Sequence, residues 1–320
     1  MKQGTFQVRG IVMAAGLCLL GVLPTRLMAQ ALPLGLNLGF TSFLDGGPPA
    51  GPGLYFQEYV QYITAGKFLD QHGNKESVPG SIDALVSLNQ LIYQSDMPLS
   101  VLGGPKWGLD LIVPLVSLNS HPGDNTMLTT SSGLGDLYIG PFLQWDPIMG
   151  ANGPLFMHRV ELQVLAPTGE YDSHRLLNAG SNVWSLDPYW AGTVFIMPGW
   201  TASWRLHYLW NGKNEDPFFA YKANNTQAGQ ATHLNFASEY EVVPNHLRVG
   251  LNGYYLKQFT NAEIDGHGVP DSREQVLGLG PGALYSFSQN DHLFLNIYFE
   301  TAVENRPEGS RVNVRWTHHF

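Results

Sequence analysis

The 320 residues carry a net charge of −9, yet only 13% of them are charged, roughly half the share of a soluble globular protein. With 36 Gly, 16 Phe, 14 Tyr and 8 Trp, that balance excludes an ordinary nucleic-acid binder, which needs clustered cations. The single cysteine, Cys18, lies in the leader described next, so disulfide scaffolds, thiolate metal sites and cysteine nucleophiles are excluded together.

In chain order, Lys2 and Arg9 precede an apolar run from Ile11 to Leu23, and Ala29-Gln30-Ala31 forms a small-x-small cleavage site. Residues 1–31 therefore read as a cleaved signal peptide, too short for a spanning helix, which needs about 20 apolar residues. Its removal takes three cations and no acid, moving the net charge from −9 to −12. Residues 32–53 hold Leu34, Leu36, Leu38 and Phe40 before a Gly/Pro tract. They are expected to be an N-terminal extension, a plug-like segment or an extra strand.

From residue 54 onward the signal is alternation. The stretch WTASWRLHYLW sets Trp200, Ala202, Trp204, Leu206, Tyr208 and Trp210 on one parity. Thr201, Ser203, Arg205, His207 and Leu209 occupy the other, and in a strand the two sets face opposite sides. Ten steps tilted by about 40° span about 25 Å, the height of the apolar band on a membrane barrel. Elsewhere Ile82, Ala84, Val86 and Leu88 oppose Asp83, Ser87 and Asn89, and Trp107, Leu109, Leu111, Val113 and Leu115 oppose Asp110. Phe156, His158, Val160, Leu162 and Val164 oppose Met157, Arg159, Glu161 and Gln163. Near the end, Val312, Val314, Trp316 and Phe320 oppose Arg311, Asn313, Arg315 and Thr317. Charge on one parity is what a polar lumen and a lipid-facing wall require.

Twelve such segments are predicted, near 55–64, 82–93, 106–117, 134–145, 156–166, 188–197, 200–210, 231–243, 246–257, 276–287, 291–302 and 311–320. Tight turns at Pro198-Gly199, Pro244-Asn245 and Ser288 to Asn290 alternate with longer polar gaps such as 167–187, 211–230 and 258–275. The expected fold is all-β: a transmembrane, antiparallel, up-and-down barrel of about 12 strands (range 10–14) over residues 54–320. It would sit in a Gram-negative outer membrane with both termini periplasmic. A C-terminal strand ending in an aromatic residue is what barrel-assembly machinery is expected to read.

Several stretches resemble a known family: PGLYFQEYVQYITAGKFLDQHGNK, GLGDLYIGPFLQW, LAPTGEYD, NAGSN, QAGQATHLNFASEYEV, LRVGLNGYYLKQ and the run from Val269 to Phe320. Over Pro52 to Phe320 the chain resembles the outer-membrane proteins of the meta-pathway phenol-degradation family. The resemblance implies a barrel that admits hydrophobic or aromatic compounds, and it carries over no catalytic residue.

The candidate lumen or constriction residues are Asp110, Asp136, Arg159, Glu161, Arg205, His207, His233, Glu239, Arg248, Glu300, Arg311 and Arg315. Glu161 with Arg159, and Arg205 with a carboxylate from an adjacent strand, are the first choices for a constriction. The candidate girdle residues are Trp107, Trp145, Trp200, Trp210, Trp316 and Phe320. No catalytic, cofactor or metal residue is assigned. His174, His207 and His233 with Ser173 or Ser181 lack a nucleophile motif, and the loop clusters Asp265 to Gly268 and Asn214 to Asp216 lack calcium-loop spacing. Phe218, Phe219 and Tyr221 either greet apolar solutes at the mouth or pack their own loop. The expected partners are outer-membrane lipid and lipopolysaccharide, the assembly machinery and a small hydrophobic solute, with no nucleic acid. A porin for polar solutes and a plugged structural or adhesive barrel are the competing readings.

Overall fold

The computed structural model describes residues 36–77, 80–121, 123 and 128–320; the signal-peptide expectation lies outside them. Twelve antiparallel strands, each paired with its neighbours in sequence, close into a barrel where the first meets the last. They are β1 (Gly53–Phe68), β2 (Ser81–Pro98), β3 (Lys106–His121), β4 (Leu137–Gln144), and β5 (Gly153–Glu161, continued by Val164–Ala166). Next come β6 (Ser185–Leu186, continued by Tyr189–Met197), β7 (Trp200–Asn211), β8 (Ala231–Val243) and β9 (Leu247–Gln258). β10 (Gln275–Ser286), β11 (Asp291–Glu304) and β12 (Pro307–His319) complete the wall. Closure pairs Tyr55 with His319 and continues to Ala65 with Gly309. A closed barrel leaves no strand edge unpaired in lipid, where each unsatisfied backbone group costs several kcal/mol.

Alternation orients the wall largely as the sequence predicts. In β7, Thr201, Ser203, Arg205, His207 and Leu209 are buried while Trp200, Leu206 and Tyr208 are exposed on the outer face. β2 is the exception. Its Ile82, Ala84, Val86 and Leu88 face inward, and the parity of Asp83, Leu85, Ser87 and Asn89 faces out. Ala84, Val86 and Leu88 pack with Phe40, Tyr59, Ile112, Val116, Tyr138 and Leu165, and Ile82 with Phe68 and Leu128. An apolar lumen wall is stable there because protein rather than water fills the space beside it.

That filling is the N-terminal segment. Leu36, Leu38, Phe40 and Phe43 are almost fully buried, and wall side chains hold the segment's backbone. Asn235 accepts from the Gly39 N–H at 2.8 Å, and Asn313 and Gln61 donate to the carbonyls of Phe40 and Leu38. Further along, Gly46 N–H donates to Thr193 Oγ1 at 2.8 Å and its carbonyl accepts from Gln144. A Cβ on Gly46 would lie 2.4 Å from the Thr193 nitrogen, so the close approach requires glycine.

The ladder is broken in one sector. Opposed antiparallel residues in a hydrogen-bonded pair exchange two N–H···O=C bonds, and proline has no N–H to give. Leu162 N–H donates to the Pro141 carbonyl and Tyr208 N–H to the Pro188 carbonyl, both at 3.0 Å, with no return bond from either proline. β5 and β6 are each split at this height, between Glu161 and Val164 and between Leu186 and Tyr189. Pro281 in β10 interrupts pairing with β11 as well, and Pro114 in β3 interrupts pairing toward β4, its carbonyl accepting from the Gly135 N–H at 2.9 Å. From β3 to β7 the interruptions run across adjacent strand pairs.

Candidate lumenal site and wall groove

Most of the polar residues predicted for the lumen meet partners inside the barrel. Arg159 Nη2 contacts Glu161 Oε2 at 2.6 Å, the Tyr189 hydroxyl donates to the same oxygen at 2.5 Å, and Gln163 reaches Glu161 Oε1 at 3.3 Å. The Arg159 guanidinium covers the Phe142 ring at 3.8 Å. Nearby, Gln90 donates to Asp110 at 2.5 Å. Arg311 pairs with Glu300 at 3.0 Å, and Tyr254 donates to that carboxylate at 2.7 Å. Thr201 donates to Glu239. Arg248, half-buried near the short turns, lies 3.5 Å from Glu241.

Arg205 meets a carboxylate, but not one from a neighbouring strand. Its Nε and Nη2 both donate to Asp45, each at 2.7 Å. The expectation of an adjacent-strand partner is corrected: the N-terminal segment supplies the acid. A planar guanidinium matched to a carboxylate in this fork is a strong, directional contact, so it pins the segment to the wall.

Asp136 stands apart from the lumen group. Its carboxylate accepts from the N–H groups of Gly169 and Ser181 and from the Ser181 hydroxyl, tying the loop after β5 to the start of β4. A carboxylate gathering local N–H donors at a strand end serves the loop. His174 is exposed, bonded to Asp172 and stacked on Phe219, while Phe218 packs edge-on against Phe219 and Tyr221. Those aromatics pack their own loop.

His207 and His233 stack with ring centroids 3.9 Å apart, and both address Asp187, Nδ1 of the first at 3.1 Å and Nε2 of the second at 3.0 Å. All three are fully buried and form the one group among the described residues that could hold a metal ion. The same geometry is also that of a carboxylate shared by two imidazoles. Asp187 was invisible to sequence reading because it precedes a proline between two strand pieces.

On the outer face, Trp107, Trp200 and Trp316 are exposed at the short-turn ends of their strands. Trp145 is half-buried, its indole donating to the Leu102 carbonyl at 2.9 Å and stacking on His158. Trp210 lies at the opposite end of β7, and Phe320 is exposed beyond β12.

Two hollows flank this wall. A groove of about 710 Å³ on the outer face is lined by Trp107, Leu143, Leu162, Trp190, Leu206 and Tyr208 over Pro141 and Pro188. A lumenal cavity of about 200 Å³ lies between residues 43–49 and the wall and reaches the short-turn end at Asn245 and His246. Tyr189 lines both. Sequence reading assigned it no role, although a proline before a strand aromatic marks where a ladder weakens.

Comparisons with known proteins agree with this architecture. The crystal structure of the COG4313 outer membrane channel from Pseudomonas putida F1 superposes with a TM-score of 0.73 at 21% identity, covering 87% of this chain and 98% of that one. At that identity the likeness establishes the fold. The NanC porin (TM-score 0.45, 8% identity, 83% of this chain and 98% of that one) is too distant to add weight. So is a mutant of the TodX monoaromatic hydrocarbon channel (0.44, 10%, 85% and 91%). No curated protein matches significantly. The family profile described as "Putative MetA-pathway of phenol degradation" matches residues 65–316, from the end of β1 nearly to the end of β12, and the chain, a twelve-stranded β-barrel, belongs to that family.

Proposed function

We propose that this barrel is a channel for passive passage of small hydrophobic or aromatic molecules, moving down their concentration gradient between the bilayer and the periplasmic end of the lumen. In this reading both termini and the short turns are periplasmic; an even strand number puts the two termini on one side, and short turns are the periplasmic habit of such barrels. Residues 36–52 act as a plug that blocks straight aqueous flow. The observation carrying the reading is Tyr189, one side chain between an apolar lipid-facing groove and the lumenal cavity, set beside the missing ladder bonds of Pro141 and Pro188. An apolar solute gains by staying out of water along such a route, and a weakened ladder is where the wall yields at least cost.

The test is uptake of radiolabelled toluene into proteoliposomes whose bilayer contains lipopolysaccharide, beside a sugar of similar size and protein-free liposomes. Faster entry of toluene alone, raised severalfold further by Tyr189→Ala, is the expected result. Acceleration of both solutes would replace the reading by a porin, and acceleration of neither by a plugged structural barrel.

A further inference from the structure

Four guanidinium groups line the lumenal cavity: Arg159, Arg205, Arg248 and Arg315. The first three pair with Glu161, Asp45 and Glu241 respectively. Arg315 is different. It is 6% exposed, it forms no ion pair among the described residues, and its Nε is buried without a hydrogen-bond partner. Its guanidinium carbon lies over the Phe294 ring, 3.5 Å from the centroid, and 5.7 Å from the Tyr59 ring, with Tyr59 as its polar neighbour. Tyr59 meets this side chain with a hydrogen bond, but aromatic faces attract a cation without using its in-plane N–H donors, and Nε is left without a partner. A buried charge without a counterion is costly, and an oxyanion brought to it removes that cost.

The cavity wall is mixed, with Gln57, Gln90, Gln94 and Thr317 among its polar members, and its apolar part selects the body of the ligand. Phe43, Tyr55, Ile92, Leu284 and Phe294 supply apolar and aromatic surface beside that one uncompensated cation. A cavity of about 150 Å³ takes a benzene molecule, so about 200 Å³ leaves room for a ring and one small substituent.

We propose that this cavity binds a planar aromatic ring bearing a single carboxylate, an arene carboxylate of the benzoate class, with the carboxylate on Arg315 and the ring among Phe43, Tyr55 and Phe294. The inference rests on the reading of the barrel as a channel for small aromatic molecules and names the ligand class of its lumenal, water-facing end, not of the lipid-facing groove. A neutral arene would fill the same space but leave Arg315 unpaired. A short aliphatic carboxylate would pair with Arg315 but leave the apolar wall uncovered.

Equilibrium dialysis of the purified, folded full-length mature barrel against labelled benzoate, benzamide and acetate tests the assignment. Benzoate is expected to bind one per barrel, at least tenfold more tightly than neutral, nearly isosteric benzamide or than acetate. Arg315→Met should erase the preference for benzoate over benzamide, and Arg315→Lys should restore part of it. Equal binding of benzoate and benzamide by the wild-type barrel would overturn the proposal without any variant having to fold. So would a preference that survives Arg315→Met in a barrel with normal heat-modifiable migration. Toluene uptake by wild-type proteoliposomes is read separately. Uptake with no benzoate preference sinks this inference and leaves the channel, whereas loss of both sinks the channel as well.

Discussion

On one side of the barrel, β12, β1, β2 and β3 pair without a missed step along most of their length, the register shifting only after Ala65 and after Gln94. Tyr55 to Ala65 of β1 are matched on β12, and the same stretch on β2, while Ser81 to Gln94 of β2 are matched on β3. On the other side, between β4 and β7, Pro141 faces Leu162 and Pro188 faces Tyr208, and β5 and β6 are split. Both sectors present apolar side chains to lipid, so burial does not distinguish them. Backbone donors do. Where every N–H returns a bond the wall is a sealed sheet, and where proline withholds one the sheet keeps its shape while its seams weaken.

The largest expected effect comes from imposing the weak sector's chemistry on the strong one. Val60 lies midway along β1, opposite Ser87 and Val314. Val60→Pro removes a donor in a continuous ladder inside lipid, at a cost of about 3 kcal/mol or more. The folded, heat-modifiable band should largely disappear after refolding into vesicles; an undiminished band would erase the distinction between the sectors.

The reverse change is smaller. Replacing Pro141 and Pro188 together by Val supplies N–H groups to face the Leu162 and Tyr208 carbonyls. Each new bond is worth about 1 kcal/mol. The double variant should resist denaturant slightly better and pass toluene more slowly than the wild type. Faster or unchanged passage would place the solute route elsewhere in the wall.

The smallest effect lies in the long loops that follow β7 and β9. Asp265 accepts the N–H groups of Asn225 and Asn224 at 3.0 and 2.8 Å, and these bonds hold its carboxyl below the ordinary carboxylate range. A depressed folded value means the clasp is in force above the unfolded value and is lost as pH falls through the folded one. Amide exchange at Asn224 and Asn225 should therefore quicken in acid, before the barrel strands respond. Protection independent of pH, or lost on raising it, would contradict the clasp.

The strands were legible because each obeys one local rule: alternation with a period of two, set against lipid on one side. Twelve segments, most of their facing parities and the alternation of short turns with long loops follow from residues read in order. Arg159 with Glu161 was also legible, since residues two apart on a strand share a face. The inward face of Val86 and Leu88 was not, because the rule of polar lumen and apolar wall assumes water inside, and Phe40 and Tyr59 stand there instead.

What the sequence determined by itself is the barrel, of ten to fourteen strands, and the belt it shows to lipid; closure of the first strand on the last fixed the number at twelve. Hydrogen bonding in hydrocarbon permits no other all-β solution. What only the tertiary structure decided is how the interior is spent. The bond from Asp45 to Arg205 spans 160 positions, the juxtaposition of Pro141 with Leu162 and of Pro188 with Tyr208 depends on register, and Arg315 is singular only once the other three cavity guanidiniums have found their acids. Such pairings depend on which side chains meet across a closed lumen, and no local pattern in the chain encodes that meeting.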